Sequence, residues 1–121
     1  MCIRDSKNAL AQNKDDIACI ILEPIQGEGG DNHFRKEFFQ KLRQLCDENE
    51  MLLIMDEVQT GIAMTGKWWA HMHYVQPDVI SFGKKTQVCG CLLYTSAKNS
   101  SVINSQSFPH RITALNRAVE H

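Results

Sequence analysis

Three short apolar runs divide the chain, and each stops abruptly at polar residues. Ile17 to Leu22 is continuously apolar, which suits a strand buried on both faces, as parallel strands are. It ends at Glu23-Pro24, where proline removes a ladder donor. Leu52 to Met55 predicts a second strand, and Val79 to Phe82, opened by Pro77-Asp78, a third. Between the first two, Phe34, Phe38, Leu42, Leu45 and Cys46 recur at helical spacing, which predicts an amphipathic helix from Phe34 to about Asp47. Asp31 or Asn32 is available to cap it, and Arg35, Lys36, Lys41 and Arg43 are expected to face water. Strand, helix and strand make one right-handed crossover unit. Lys7 to Asn13 reads as the end of an earlier helix, with a turn at Asp15-Asp16. Gly61 to Tyr74 reads as a loop with a short helix whose two tryptophans cover the sheet. Gly27, Gly29 and Gly30 make a tightly turning segment that lets a ligand or a neighbouring loop approach closely. The expected fold class is therefore α/β, with parallel strands and crossover helices.

The chemistry gathers where the strands end. Asp56, Glu57 and Gln59 follow the second strand, and Lys84 and Lys85 follow the third. In open parallel sheets, ligands bind beyond the carboxyl ends of neighbouring strands. A carboxylate at one strand end and an amine at the next suit pyridoxal phosphate. A lysine holds that cofactor as a Schiff base and shuttles a substrate proton, while a carboxylate keeps the pyridine nitrogen protonated. Asp56 and Lys84 have the right chemistry for these two jobs, and Gln59 is placed to reach the phenolic oxygen.

Three motifs in order carry a family resemblance. Glu23-Pro-Ile-Gln-Gly-Glu-Gly-Gly30, Asp56-Glu-Val-Gln-Thr-Gly61 and Phe82-Gly-Lys-Lys-Thr-Gln-Val-Cys-Gly90 resemble the class III aminotransferases. The last of them resembles the L-lysine 6-aminotransferases in particular. The resemblance runs from Lys7 to Gly90 and implies a fragment of the large domain of a fold-type I transferase dependent on pyridoxal 5'-phosphate. It implies that Lys84, directly after Phe82-Gly83, is the Schiff-base lysine and Lys85 its neighbour; the family pattern, not the spacing, makes that choice. It further implies that Asp56 pairs with the pyridine nitrogen, Val58 packs on the ring and Gln59 holds the phenolic oxygen. Glu28 matches a glutamate that gates a substrate-binding arginine. Glu23 matches a position near the cofactor and receives no definite role. The implied reaction moves the ε-amino group of L-lysine to 2-oxoglutarate, in a parent enzyme that is a homodimer. Ornithine or 4-aminobutyrate is the alternative donor.

The family's glycine-rich phosphate cup, ring-stacking aromatic and carboxylate-binding arginine are missing, so the isolated chain is expected to be catalytically inactive. Leu52 to Glu57 also fits the acidic strand of a phosphate-loop nucleotide site, but Gly83-Lys-Lys-Thr86 lacks the required earlier glycine and follows that strand instead of preceding it. His71-Met-His73 and Cys89-Gly-Cys91 are too closely spaced for the usual zinc pattern, so packing or solvent exposure is the expected fate of these residues. Trp68-Trp69 reads as core.

Composition narrows the setting. With 121 residues, 22% of them charged, and a formal net charge of −1, the chain has the size of one small domain and no field that favours nucleic acid. No apolar span approaches the ~20 residues that cross a membrane, and the first residues lack a signal-peptide pattern. Five cysteines, an odd number without framework spacing, point to a reducing compartment, so a cytoplasmic location is expected. Residues 1–6 are expected to be a non-native leader, 7–90 the partial transferase domain, and 91–121 a loosely ordered tail outside the family, with a short helix over Thr113 to Glu120. Three strands with helices on mainly one face predict marginal stability and association.

Overall fold

The computed structural model describes residues 3–13 and 16–94. Helix α1 (Ile3–Gln12) precedes strand β1 (Cys19–Leu22), helix α2 (Lys36–Glu48), and strands β2 (Leu52–Asp56), β3 (Val79–Phe82) and β4 (Gly90–Leu93). Short 3-10 turns cover Ala70–His73 and Lys84–Thr86. The four strands form one sheet in the order β1-β2-β3-β4. The first three are parallel, with Leu22 opposite Met55 and Asp56 opposite Ser81. Their carboxyl ends therefore open on one edge of the sheet.

The sheet is mixed. β4 runs antiparallel to β3, pairing Gly90 with Phe82 and Leu93 with Val79, a strand that the parallel pattern did not anticipate. Gly90 makes this pairing possible, since a Cβ there would lie 2.6 Å from Phe82 Cζ. The helix expected over Thr113 to Glu120 lies outside the described residues.

The core is built on one seam. Phe39, Leu42 and Cys46 of α2 are buried together with Met51, Leu53, Met55, Trp69 and Ile80. Phe39 stacks on Tyr74, with centroids 4.3 Å apart. The amphipathic pattern thus places α2 against the sheet as expected, although its first buried residue is Phe39 rather than Phe34.

Four local expectations change. β1 is an edge strand of the described sheet, and Ile21 is 60% exposed because no described element covers its side. Arg43 does not face open water: its Nη1 donates to Asp78 Oδ2 at 2.7 Å and its Nη2 pairs with Asp47. The same Asp78 oxygen accepts Leu53 N at 2.7 Å, so one carboxylate joins α2, β2 and the start of β3. Neither Asp31 nor Asn32 caps α2. The Asn32 amide is spent within the preceding turn on Gln26 Oε1 and Gly29 O, and Arg35 stands at the N-cap without a side-chain bond. Of the two tryptophans only Trp69 is buried; Trp68 is 56% exposed.

Candidate active site at the strand ends

Asp56 closes β2, and its Oδ1 accepts two hydrogen bonds, from Val58 N at 3.1 Å and from Ser81 Oγ at 3.1 Å. The first is a local turn that reverses the chain after the strand. The second comes from the residue paired with Asp56 across β2 and β3. Both bonds fall on Oδ1, so Oδ2 takes part in neither and the carboxylate is oriented without being saturated. Ser81 has no motif of its own; only the strand register reveals it.

The turn after β2 carries Gln59 toward the loop after β3. Lys84 Nζ donates to Gln59 Oε1. Lys85 Nζ donates to Gln59 O at 2.9 Å and to Gly61 O at 3.3 Å. Val58 lies beside Gly83, where a Cβ would meet Val58 Cγ1 at 3.6 Å and Cys89 Sγ at 3.2 Å. The turn after β1 reaches the same place: a Cβ on Gly27 would lie 3.3 Å from Gln59 Cγ. Glu23 Oε2 accepts Gly27 N at 3.0 Å and so fixes the start of that turn. Asp56, Val58, Gln59 and Lys84 are thus assembled by the ends of β2 and β3. Glu28 is exposed within the glycine-rich turn, and no hydrogen bond joins it to these residues. A groove of about 310 Å³ lined by Ile21, Leu22, Glu23, Gln26, Phe34 and Asp56 opens beside the β1 and β2 ends. Lys84 and Gln59 do not line it, so it meets the cluster only at Asp56.

Glu57, next to Asp56 in sequence, has a different environment. It is 1% exposed and accepts Thr60 Oγ1 at 2.8 Å, Ala70 N at 2.9 Å, His71 N at 2.7 Å and His71 Nδ1 at 3.0 Å. Burial by itself would push this carboxyl up, but the bonds from His71, Ala70 and Thr60 outweigh it and hold the group below the usual carboxylate range. Tyr94 OH lies 3.3 Å from His71 Nε2, which suits the Nδ1–H tautomer. His71 is therefore committed to a buried carboxylate. Among the described residues no three metal-ligating side chains come together. Glu57 and His71 hold the 3-10 turn at Ala70–His73 against the sheet and take no part in the cluster around Gln59.

The family model described as Aminotransferase class-III matches residues 1–111. The chain belongs to the class III aminotransferases. The L-lysine-epsilon aminotransferase of Mycobacterium tuberculosis is 56% identical over 91 residues, which cover 74% of this chain and 20% of that protein. The 4-aminobutyrate aminotransferase of Emericella nidulans is 45% identical over 92 residues, covering 74% of this chain and 18% of that one. In structure, a lysine aminotransferase from M. tuberculosis in the internal aldimine form superposes with a TM-score of 0.76 at 49% identity, covering 90% of this chain and 25% of that one. The chain spans about one fifth of the length of the curated relatives it matches.

Class III membership and the internal-aldimine structure imply pyridoxal phosphate as the cofactor. The donor set fits that group. Asp56 has an oxygen left for a ring nitrogen, Gln59 carries a side-chain amide, and the Lys84 amine rests on a side chain that can rotate away from it. No helix among the described residues is long and apolar enough to cross a membrane.

Proposed function

We propose that this chain supplies the lysine, carboxylate and amide of a pyridoxal-phosphate site in an aminotransferase that moves the ε-amino group of L-lysine to 2-oxoglutarate. The observation that carries the proposal is the contact between Lys84 and Gln59, from the loops after β3 and β2, with the carboxylate of Asp56 oriented at the end of β2. When bound, the cofactor supplies an electron sink for the carbon bearing the amine. Lys84 would hold it through its amine and would move the proton at that carbon. Asp56 favours the protonated ring nitrogen by placing an opposite charge beside it. Val58 bears on the ring face, Gln59 holds the phenolic oxygen, and Glu28 gates the arginine that binds substrate carboxylate. Lysine is favoured as donor by the 56% identity to an L-lysine-epsilon aminotransferase. The second reading, an ω-amine such as 4-aminobutyrate, draws on the 45% identical relative. The parent enzyme works as a cytoplasmic homodimer.

The test is a spectral titration with pyridoxal phosphate of the chain and of its Lys84→Ala and Lys85→Ala variants, followed by borohydride reduction and peptide mass analysis. Labelling of Lys84, lost only in Lys84→Ala, is expected. Equal labelling of both lysines would refute the assignment.

A further inference from the structure

The two adjacent lysines after β3 differ in what holds their amines. Lys84 Nζ meets the oxygen of a rotatable side chain, that of Gln59. Lys85 Nζ meets two backbone carbonyls, Gln59 O at 2.9 Å and Gly61 O at 3.3 Å, both in the turn after β2. An ammonium has three donors and no acceptor, so these two carbonyls occupy most of what Lys85 offers. They also cannot rotate away, because they belong to a turn fastened by Gly61 N on Glu57 O at 2.8 Å.

The backbone around these lysines supplies an independent observation. Lys84 has φ 50° and Gln87 φ 58°, both in the left-handed region, and Gln87 N closes the turn on Lys84 O at 2.9 Å. A non-glycine residue keeps such a conformation only where its surroundings impose it. The next side chain, Lys85, reaches across to the backbone of the turn after β2.

We infer that Lys85 is a positioning residue: by clamping the turn at Gln59 and Gly61 it holds Lys84 in its left-handed conformation with the amine directed at Gln59. The role rests on the reading of Lys84 as the cofactor-binding lysine. The clamp itself belongs to the chain before any cofactor is added, so the two fail separately.

Hydrogen exchange followed by mass spectrometry on the 121-residue chain, without added cofactor, tests the clamp in the wild type, Lys85→Met and Lys85→Arg. Met keeps the apolar stem and loses the donors, whereas Arg keeps donors for both carbonyls. Losing charge-assisted bonds should speed exchange of peptides covering residues 84–89 about tenfold in Lys85→Met, with Lys85→Arg near wild type and α2 unchanged. Borohydride labelling of Lys84 by pyridoxal phosphate should fall in Lys85→Met and recover in Lys85→Arg. Exchange in Lys85→Met equal to wild type would overturn the inference. So would acceleration spread equally over α2, because a local clamp leaves α2 alone. A clear local exchange effect with no label on wild-type Lys84 would sustain the clamp and refute the proposed function instead.

Discussion

Ser81 donates its hydroxyl to Asp56 Oδ1 at 3.1 Å, across the pair of strands whose ends carry the candidate site. The bond restrains the carboxylate from the neighbouring strand, where the Val58 N–H restrains it from its own turn. Ser81→Ala removes one neutral donor and leaves the charge in place. We expect affinity for pyridoxal phosphate to fall about fivefold, the usual worth of one such bond, with Ser81→Thr closer to wild type. Spectral titration of the three chains measures it. Unchanged affinity in Ser81→Ala would mean that the Val58 N–H orients Asp56 unaided.

Glu57 makes stability depend on acid. Its carboxyl is held below the usual range by His71, Ala70 and Thr60 against the opposing effect of burial. A group with a depressed folded value stabilises the chain above its unfolded value, about 4.3, and that contribution is lost as pH falls through the lower folded value. Thermal unfolding between pH 7 and pH 3 should therefore show a decline on the acid side that is shallower in Glu57→Gln. At pH 7 the variant should be less stable by about 1–3 kcal/mol, since a buried acceptor of four bonds has been replaced by an amide that cannot serve them all. Parallel acid limbs in the two chains would contradict this account.

Gly61 and Gly90 are required by space. A Cβ on Gly61 would lie 2.7 Å from both Glu57 O and Trp69 Cζ3, and on Gly90 2.6 Å from Phe82 Cζ. Alanine at either position is expected to cost about 1–3 kcal/mol by overpacking, read from denaturant unfolding. Gly66 has nothing within 4 Å of such an atom but has φ 86°, so its alanine variant should show only the smaller cost of a left-handed backbone.

The cysteines should separate by reactivity. Burial pushes the Cys46 thiol up to about 11, so almost none of it is thiolate near neutrality. Cys89 and Cys91 are exposed. Timed alkylation of the native chain with iodoacetamide should label both before Cys46, and unfolding should abolish the difference. Early labelling of Cys46 in the native chain would show that α2 does not stay packed on the sheet.

What the chain order contains on its own is local and periodic. The apolar runs at Leu52 to Met55 and Val79 to Phe82 and the helical spacing through Leu42, Leu45 and Cys46 placed β2, β3 and α2, because burial of one face imposes a period that survives without context. The three motifs carried the family, which its matching sequence model bears out. Tertiary structure decided what depends on a partner distant in sequence. Asp56 and Glu57 are adjacent carboxylates, yet one is oriented at the sheet edge by Ser81 and the other is buried against His71. Arg43 reads as a surface cation until the fold brings Asp78 to it, and Ile17 to Leu22 reads as fully buried until β1 falls at an edge. Lys84 and Lys85 are adjacent and of one residue type, yet packing gives their amines different partners on the turn after β2, the Gln59 side chain for one and backbone carbonyls for the other. Side-chain type sets which bonds a residue can make, and chain periodicity sets which way it faces. The partner that completes the bond comes from packing, which brings together positions that no local pattern connects.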